Sequence, residues 1–458
     1  MMGTISLIGD IASGRVTTEQ ATENLADLHP LYTQYQALAE ADRCYFCFDA
    51  PCMDACPTSI DVPLFIRQIS TGDIKGSAKT ILNQNILGGM CSRVCPTETL
   101  CEQVCVRNEK GGNPVKIGRL QRYATDTLFD TGEKVFERQP DSGKSIAVIG
   151  AGPAGLSCAH GLALEGHKVV IFDAREKLGG LNEYGIASYK TTNDFAQREV
   201  DFVLGLGGIE TRLGQSLGKD FTLDDLRKKH DAVFIATGMG GVNALGLADE
   251  DITGVVDAVD YIAELRQSDD PSKLEIGRRV VVIGGGMTAV DIAVQSKLIG
   301  AEDVSIVYRR GKEHMPASEY EQDLAQTNGI KIHQWVAPVK LNSEGGKLSS
   351  IDFVRTSLDA AGKLQMSEDV ITLEADMVFK AIGQKVTPEP LINNNEAIKL
   401  EGGRVAIDDN RRTNLADVWA GGDCVTGGED LTVSAVEDGK VAAQSIHKFL
   451  QQGAKENG

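Results

Sequence analysis

Eight of the ten cysteines in this 458-residue chain fall between Cys44 and Cys105. They form two blocks, Cys44-x2-Cys47-x4-Cys52-x3-Cys56-Pro57 and Cys91-x3-Cys95-Pro96-x4-Cys101-x3-Cys105. In a short secreted chain such density reads as a disulfide framework. The opening MMGTISLIGD has no basic start before an apolar core, so no signal peptide is expected. A cytoplasmic location with reduced thiols follows as the expectation, and metal binding is the better reading. Structural zinc takes two short pairs around a longer loop. Four close thiols with a Cys-Pro step are instead ferredoxin-like, and predict two [4Fe-4S] clusters. Spacing leaves the wiring open. One block per cluster and crossed ligation, with Cys56 and Cys105 exchanged, are both allowed.

Around these blocks the pattern is helical. Thr17-x-x-Gln20 reads as a capping box. Ile60–Leu87 reads as two short helices broken at Gly72 and Gly76, and Ile117–Phe129 as another helix. The polar stretch 131–144, with Pro140, reads as a linker. From Ser145 the character changes to alternating strands and helices, the α/β pattern. Strands are expected at Ser145–Ile149, Lys168–Phe172, Ala232–Ala236, Arg279–Ile283, Val304–Tyr308 and Met377–Ala381. The first and fourth share one layout, a degenerate internal duplication. The terminal QQGAKENG reads as a frayed tail.

The first copy, SIAVIGAGPAG, places Gly150, Gly152 and Gly155 in G-x-G-x-x-G spacing, with Pro153 and Ala154 opening the helix. The first glycine allows the turn, the second admits a pyrophosphate, and the third lets helix and strand pack closely. The helix N-terminus offers free N–H groups to the phosphates. The next strand ends in Asp173, placed to accept hydrogen bonds from ribose hydroxyls. The second copy, RRVVVIGGGMTA, places Gly284, Gly286 and Ala289 in the same positions, with Thr288 in the first helical turn. Its following strand ends in Arg309-Arg310. A carboxylate there would repel a 2′-phosphate, whereas arginine binds one in bidentate fashion. NADP(H) is therefore expected over NAD(H), which stays possible.

A third signal is Val418-Trp419-Ala420-Gly421-Gly422-Asp423. With Ala236-Thr237-Gly238 and Ala381-Ile382-Gly383, the 145–450 region resembles the flavoprotein disulfide-reductase family. The resemblance implies FAD on the first motif, with contacts from Gly180, Leu181, Gly422 and Asp423. It implies pyridine nucleotide on the second motif and Gly383, in an inserted domain. Such reductases use a close cysteine pair beside the flavin. Cys158 and Cys424 have no close partner, so the iron–sulfur blocks are the expected electron exit.

The segments CYFCFDAPCMDACPTSIDVPLFIRQI, LGGMCSRVCPTETLCEQVC and IGRLQRYATD extend the resemblance to the whole chain. It is similar to the small subunit of NADPH-dependent glutamate synthase. It is still more similar to the N-terminal half of dihydropyrimidine dehydrogenase and its separate bacterial electron-input subunit. That resemblance implies one cluster on Cys44, Cys47, Cys52 and Cys105. It implies a second on Cys56, Cys95, Cys101 and Gln121, with Cys91 spare. It also implies a hetero-oligomer with an FMN-containing catalytic subunit that interconverts uracil or thymine with dihydropyrimidines. Related NADPH:ferredoxin oxidoreductases and the glutamate synthase small subunit are the alternatives. One departure is Tyr189-Lys190-Thr191-Thr192, where relatives carry Phe-Arg-Leu-Pro. Lys190 keeps the charge toward the flavin without the bidentate contact.

The expected architecture is an α-helical double-cluster domain over 1–137, followed by α/β disulfide-reductase-like FAD and NAD(P) domains. The FAD domain covers 138–254 and 386–458, around an NAD(P) domain at 255–385. No side chain is needed as a catalytic acid or base. The formal net charge of −19 argues against nucleic-acid partners. No run is long enough for a membrane span.

Overall fold

The computed structural model describes residues 11–392 and 396–456. Met1–Asp10, on which the signal-peptide reading rests, lie outside them. The chain divides into two compact units. One is built from the described part of Met1–Leu28, from Tyr184–Thr192 and from Val242–Gln384. The other holds His29–Glu183, Asn193–Gly241 and Lys385–Gly458, as far as these are described.

In the larger unit, the helices Gln34–Ala41, Val62–Ser70, Ile74–Gln84, Gly88–Val94 and Ile117–Thr131 surround Phe65, Ile66, Ile69, Ile81 and Leu120. Local chemistry sets their starts. Thr33 and Gln36 form a reciprocal capping box. Asp61 and Asp73 accept N–H groups of the next two helices, each about 1 kcal/mol of stability. Gly72 separates those helices with a φ of +85°. Gly76, expected as a breaker, instead lies in the first turn and donates to Asp73 Oδ1. The helix Ile117–Thr131 stops at the left-handed Gly132. From there to Lys144 the chain has no helix or strand.

The same unit holds a five-stranded parallel sheet, in the order Val418–Ala420, Ala232–Ile235, Ser145–Ile149, Lys168–Asp173, Ile209–Leu213. One core runs without interruption from Phe65 and Leu120 to Ile146, Val148 and Trp419. The helical segment and the sheet are therefore not separate hydrophobic bodies. The helix Thr432–Glu456 absorbs Gln451–Glu456, which correct the frayed-tail reading; Asn457 and Gly458 lie outside the described residues.

The smaller unit repeats the parallel sheet, in the order Lys331–Gln334, Asp303–Tyr308, Arg279–Ile283, Met377–Lys380, Val255–Asp257. A three-stranded antiparallel sheet, Val336–Glu344, Lys347–Leu358 and Leu364–Glu374, joins it. This unit also takes three segments expected elsewhere: residues 11–28, Tyr184–Thr192 and 242–254. Ile11–Ala12 pairs with Ile276–Gly277, and Asn24 Nδ2 donates to Leu298 O at 2.8 Å. Tyr184–Thr192 packs here too, with Arg266 Nη1 donating to Thr191 O at 2.6 Å.

Candidate cofactor sites

Folding brings the eight clustered thiols close enough to act on one another's ionisation. Burial pushes Cys52 up to about 12, and Cys44, Cys105 and Cys47 add to that rise. Cys44 is raised by burial too, and also feels Cys47 and Cys105. Cys95 is held well above the ordinary thiol range by a hydrogen bond with Cys91 and by burial, with Cys101 and Cys56 nearby. Cys101 is raised by burial, then by Glu102, Cys56 and Cys52, so the two blocks adjoin. Cys105 thus acts on Cys44 and Cys52 of the first block, and Cys56 on Cys95 and Cys101 of the second. Among the described residues, no three His, Cys, Asp or Glu side chains converge as ligands of a single metal ion. Thiols clustered against one another resist ionisation, and a bound cationic centre relieves that penalty while releasing protons.

Gln121 lies buried in the helix Ile117–Thr131. Its Nε2 donates to Gly88 O at 2.7 Å, leaving the amide oxygen as the acceptor end. Gly88 opens the helix Gly88–Val94, which carries Cys91 and is followed by Cys95 at its C-cap. Both candidates for an eighth ligand therefore sit against one helix.

The first dinucleotide turn has little room for side chains. Gly150 has a φ of +102°, and a Cβ there would lie 2.2 Å from Ala236 O. A Cβ on Gly155 would lie 1.9 Å from Gly150 O, so the third glycine is a packing requirement. Gly152 caps the helix Pro153–Leu164, with Pro153 in its first turn and Ala154 buried behind it. Gly180, at φ +56°, leaves room for Gly152, because its Cβ would come within 2.6 Å of Gly152 Cα. Leu181 opens the next short helix. Asp173 ends its strand beside the turn, where its carboxylate holds backbone. Oδ2 accepts from Ala151 N and Oδ1 from Arg175 N, both at 2.8 Å. An exposed helix start beside a side-chain-free cradle fits a pyrophosphate.

At the third signal, Gly422 has a φ of +79° and donates to Asp438 Oδ2 at 2.7 Å. Burial pushes the Asp423 carboxyl up to about 7, with Asp430 and Asp438 adding to it and Arg404 opposing. The neighbouring Cys424 is buried and raised to about 11 by burial, and its thiol donates to Gly421 O at 3.4 Å. Cys158 is equally buried. Neither is a thiolate poised for exchange.

The second turn repeats the device. Gly284, at φ +154°, would bring a Cβ within 2.2 Å of Ala381 O. Gly286 caps the helix Met287–Leu298 and faces open space, with Thr288 in its first turn and Ala289 buried. Gly285, not singled out from sequence, lies under the Tyr308 ring, where a Cβ would stand 2.4 Å from the nearest ring carbon. Gly383, at φ +88°, follows Ile382, whose carbonyl accepts from Asn243. Arg309 is exposed and Arg310 half-buried at the strand end. Among the described residues neither guanidinium pairs with a carboxylate, and the buried Nε of Arg310 has no hydrogen-bond partner. An orphaned guanidinium nitrogen beside a free one fits an incoming phosphate.

Lys190 is placed differently from the sequence expectation. Its ammonium pairs with Asp291 at 2.7 Å and Glu321 at 2.8 Å inside the smaller unit. Burial opposes the charge, but the two carboxylates outweigh it and hold Lys190 above its usual range. Its charge is held by acids on two helices, Met287–Leu298 and Glu319–Thr327, and is not left over for a flavin. Tyr189 supports the arrangement by donating to Asp291 Oδ1 at 3.2 Å.

Residues 144–439 match the family described as pyridine nucleotide-disulphide oxidoreductase. This chain belongs to that family. Residues 21–133 of this oxidoreductase match a second family, described as dihydropyrimidine dehydrogenase domain II, 4Fe-4S cluster. FAD, NADP(H) and [4Fe-4S] clusters are the cofactors of that combination. The glutamate synthase [NADPH] small chain of Escherichia coli K12 is 35% identical, covering 93% of this chain and 94% of its own length. The NAD-dependent dihydropyrimidine dehydrogenase subunit PreT of the same strain is 34% identical, covering 93% and 97%. Among solved structures, Mycobacterium tuberculosis FprA in complex with NADPH aligns with TM-score 0.56 at 18% identity, over 70% of this chain and 86% of its own. The T. acidophilum thioredoxin reductase aligns with TM-score 0.50 at 20% identity, over 67% and 99%. These two show the shared fold. No helix among the described residues of this oxidoreductase is long and apolar enough to cross a membrane.

Proposed function

We propose that this chain is the NADPH-oxidising electron-input subunit of a larger oxidoreductase. The carrying observation is the pairing of two dinucleotide turns with two blocks of thiols, while the only cysteine beside the third signal is buried and protonated. When bound, FAD supplies hydride acceptance and the clusters supply one-electron transfer. The chain's own residues bind and orient. Gly150, Gly152 and Gly180 leave a cradle for one pyrophosphate, and Gly284 and Gly286 for the other. Asp173 and Asp423 stand at the flavin-side turns, and Arg309 with Arg310 would take a 2′-phosphate. We assign Cys44, Cys47, Cys52 and Cys105 to one cluster, and Cys56, Cys95, Cys101 and Gln121 to the other. No proton transfer is asked of a side chain.

The partner placed first is an FMN-containing subunit that interconverts uracil or thymine with dihydropyrimidines. The wording of the cysteine blocks and of Ile117–Asp126 supports it. One observation favours glutamate synthase as a second reading. The unpaired arginines suit NADPH, and the 35% relative is an [NADPH] small chain, whereas PreT is named NAD-dependent. Anaerobic purification of the tagged chain from its own cells, with the co-eluting subunit identified by mass, decides between them. An FMN-bearing partner of barrel size that reduces uracil with NADPH supports the first reading. A very large amidotransferase partner overturns it in favour of the second. A colourless chain without flavin or iron sinks both.

A further inference from the structure

Glu199 is wholly buried and was not signalled by any motif. It lies on the helix Phe195–Leu204, within the segment expected to belong to the FAD domain. Its Oε1 accepts from Gly89 N at 2.8 Å and Met90 N at 3.2 Å, and Oε2 accepts from Met90 N at 3.3 Å. Gly89 is held from its other end as well, because its carbonyl accepts from Arg93 Nη1 at 2.9 Å. The fit is close. A Cβ on Gly89 would lie 2.5 Å from the Phe195 ring and 2.9 Å from Glu199 Oε1. Arg93 stacks on Phe195 with its guanidinium carbon 3.3 Å from the ring centre, and pairs with Asp126 at 2.7 Å.

Arg93 and Arg122 both pair with the buried Asp126, and behind them burial pushes the Glu199 carboxyl up to about 8, with the Met90 and Gly89 N–H groups and Arg93 opposing. Buried ion networks are seldom a route to stability, since apolar residues of similar volume do as well or better. What this network secures is the backbone of Gly88–Met90. The Gly88 carbonyl orients the Gln121 amide, and the same helix continues into Cys91 and Cys95.

We propose that Glu199 is a positioning residue for the second iron–sulfur cluster, fixing the backbone that orients the Gln121 amide and leads into Cys95. The proposal rests on the two-cluster reading above. Glu199→Gln keeps a carbonyl for Gly89 N–H but turns an amide NH2 toward Met90 N–H. Glu199→Leu leaves both backbone donors buried and unpaired.

The experiment is iron and acid-labile sulfide analysis with EPR redox titration of the purified full chain, alongside FAD content. Glu199→Leu is expected to lose about half the iron with FAD retained. Glu199→Gln is expected to keep the iron while shifting the midpoint potential and EPR signature of one centre only. Full iron with both potentials unchanged in Glu199→Leu would overturn the proposal, as would joint loss of FAD and both clusters. If Glu199→Leu does not accumulate, unchanged potentials at both centres in Glu199→Gln overturn it. Wild-type chain without labile sulfide refutes the two-cluster reading itself, and this proposal with it.

Discussion

Arg309 and Arg310 are the residues on which nucleotide choice turns. Nothing among the described side chains competes for their charge, so removing them has one main target. Arg309→Ala with Arg310→Ala should raise the KM for NADPH at least tenfold and leave NADH nearly unaffected, consistent with loss of one to two charge-assisted contacts at roughly 1.5–3 kcal/mol each. Steady-state kinetics with an artificial acceptor reads this, and equal losses for both nucleotides would remove the 2′-phosphate role. Gln121 and Cys91 compete for one ligand position. Gln121→Leu should halve the iron content and Cys91→Ser should leave it intact; the reverse pattern assigns Cys91. The arginine pair was legible because a strand end after a glycine turn is a fixed address. Glu199, buried, and Asp438, half-buried, were not, because an acid on a helix has no local signature until the backbone it serves is packed against it. Lys190 shows the converse. Its type invited a flavin contact, but Asp291 and Glu321, distant in sequence, claim the charge.

Among the elements, the helix Thr432–Glu456 governs how the first dinucleotide turn is held. It packs on Pro153–Leu164 so closely that a Cβ on Gly439 would lie 2.2 Å from Ala154 O and 2.8 Å from Cys158 N. Gly439→Ala should therefore displace the turn's helix, cost about 1–3 kcal/mol and lower FAD retention after gel filtration. An unchanged flavin-to-protein ratio and melting temperature would show that the interface yields freely. The six strands read from sequence are all present, because buried parallel strands read as apolar β-branched runs. Leu364–Glu374 was missed for the opposite reason. Its QMSEDV stretch is exposed, and only pairing with Lys347–Leu358 makes it a strand.

For the whole molecule, stability carries a pH signature from His160, which is buried beside Phe136 at a ring separation of 5.0 Å. Burial lowers its pKa to about 4. The unfolded chain then binds the proton first, so the contribution is fully present above about pH 6.5 and is lost as pH falls to 4. Wild type should lose about 3 kcal/mol over that window that His160→Leu does not. Parallel denaturation curves for the two across pH 4–7 would refute it. The isolated chain should oxidise NADPH only with artificial acceptors, and uracil reduction by the pure chain would contradict this. The sequence by itself determined the α/β class, the two glycine turns and the thiol blocks, because each is local chemistry at fixed spacing. Only the tertiary structure brings Cys105 within electrostatic reach of Cys44 and Cys52, and Cys56 within reach of Cys95 and Cys101. It also decided that residues 11–28 and Tyr184–Thr192 belong with the nucleotide unit, and that Glu199 serves the helix Gly88–Val94. These are contacts between residues far apart in the chain, fixed by burial and hydrogen-bond satisfaction rather than by any pattern along it.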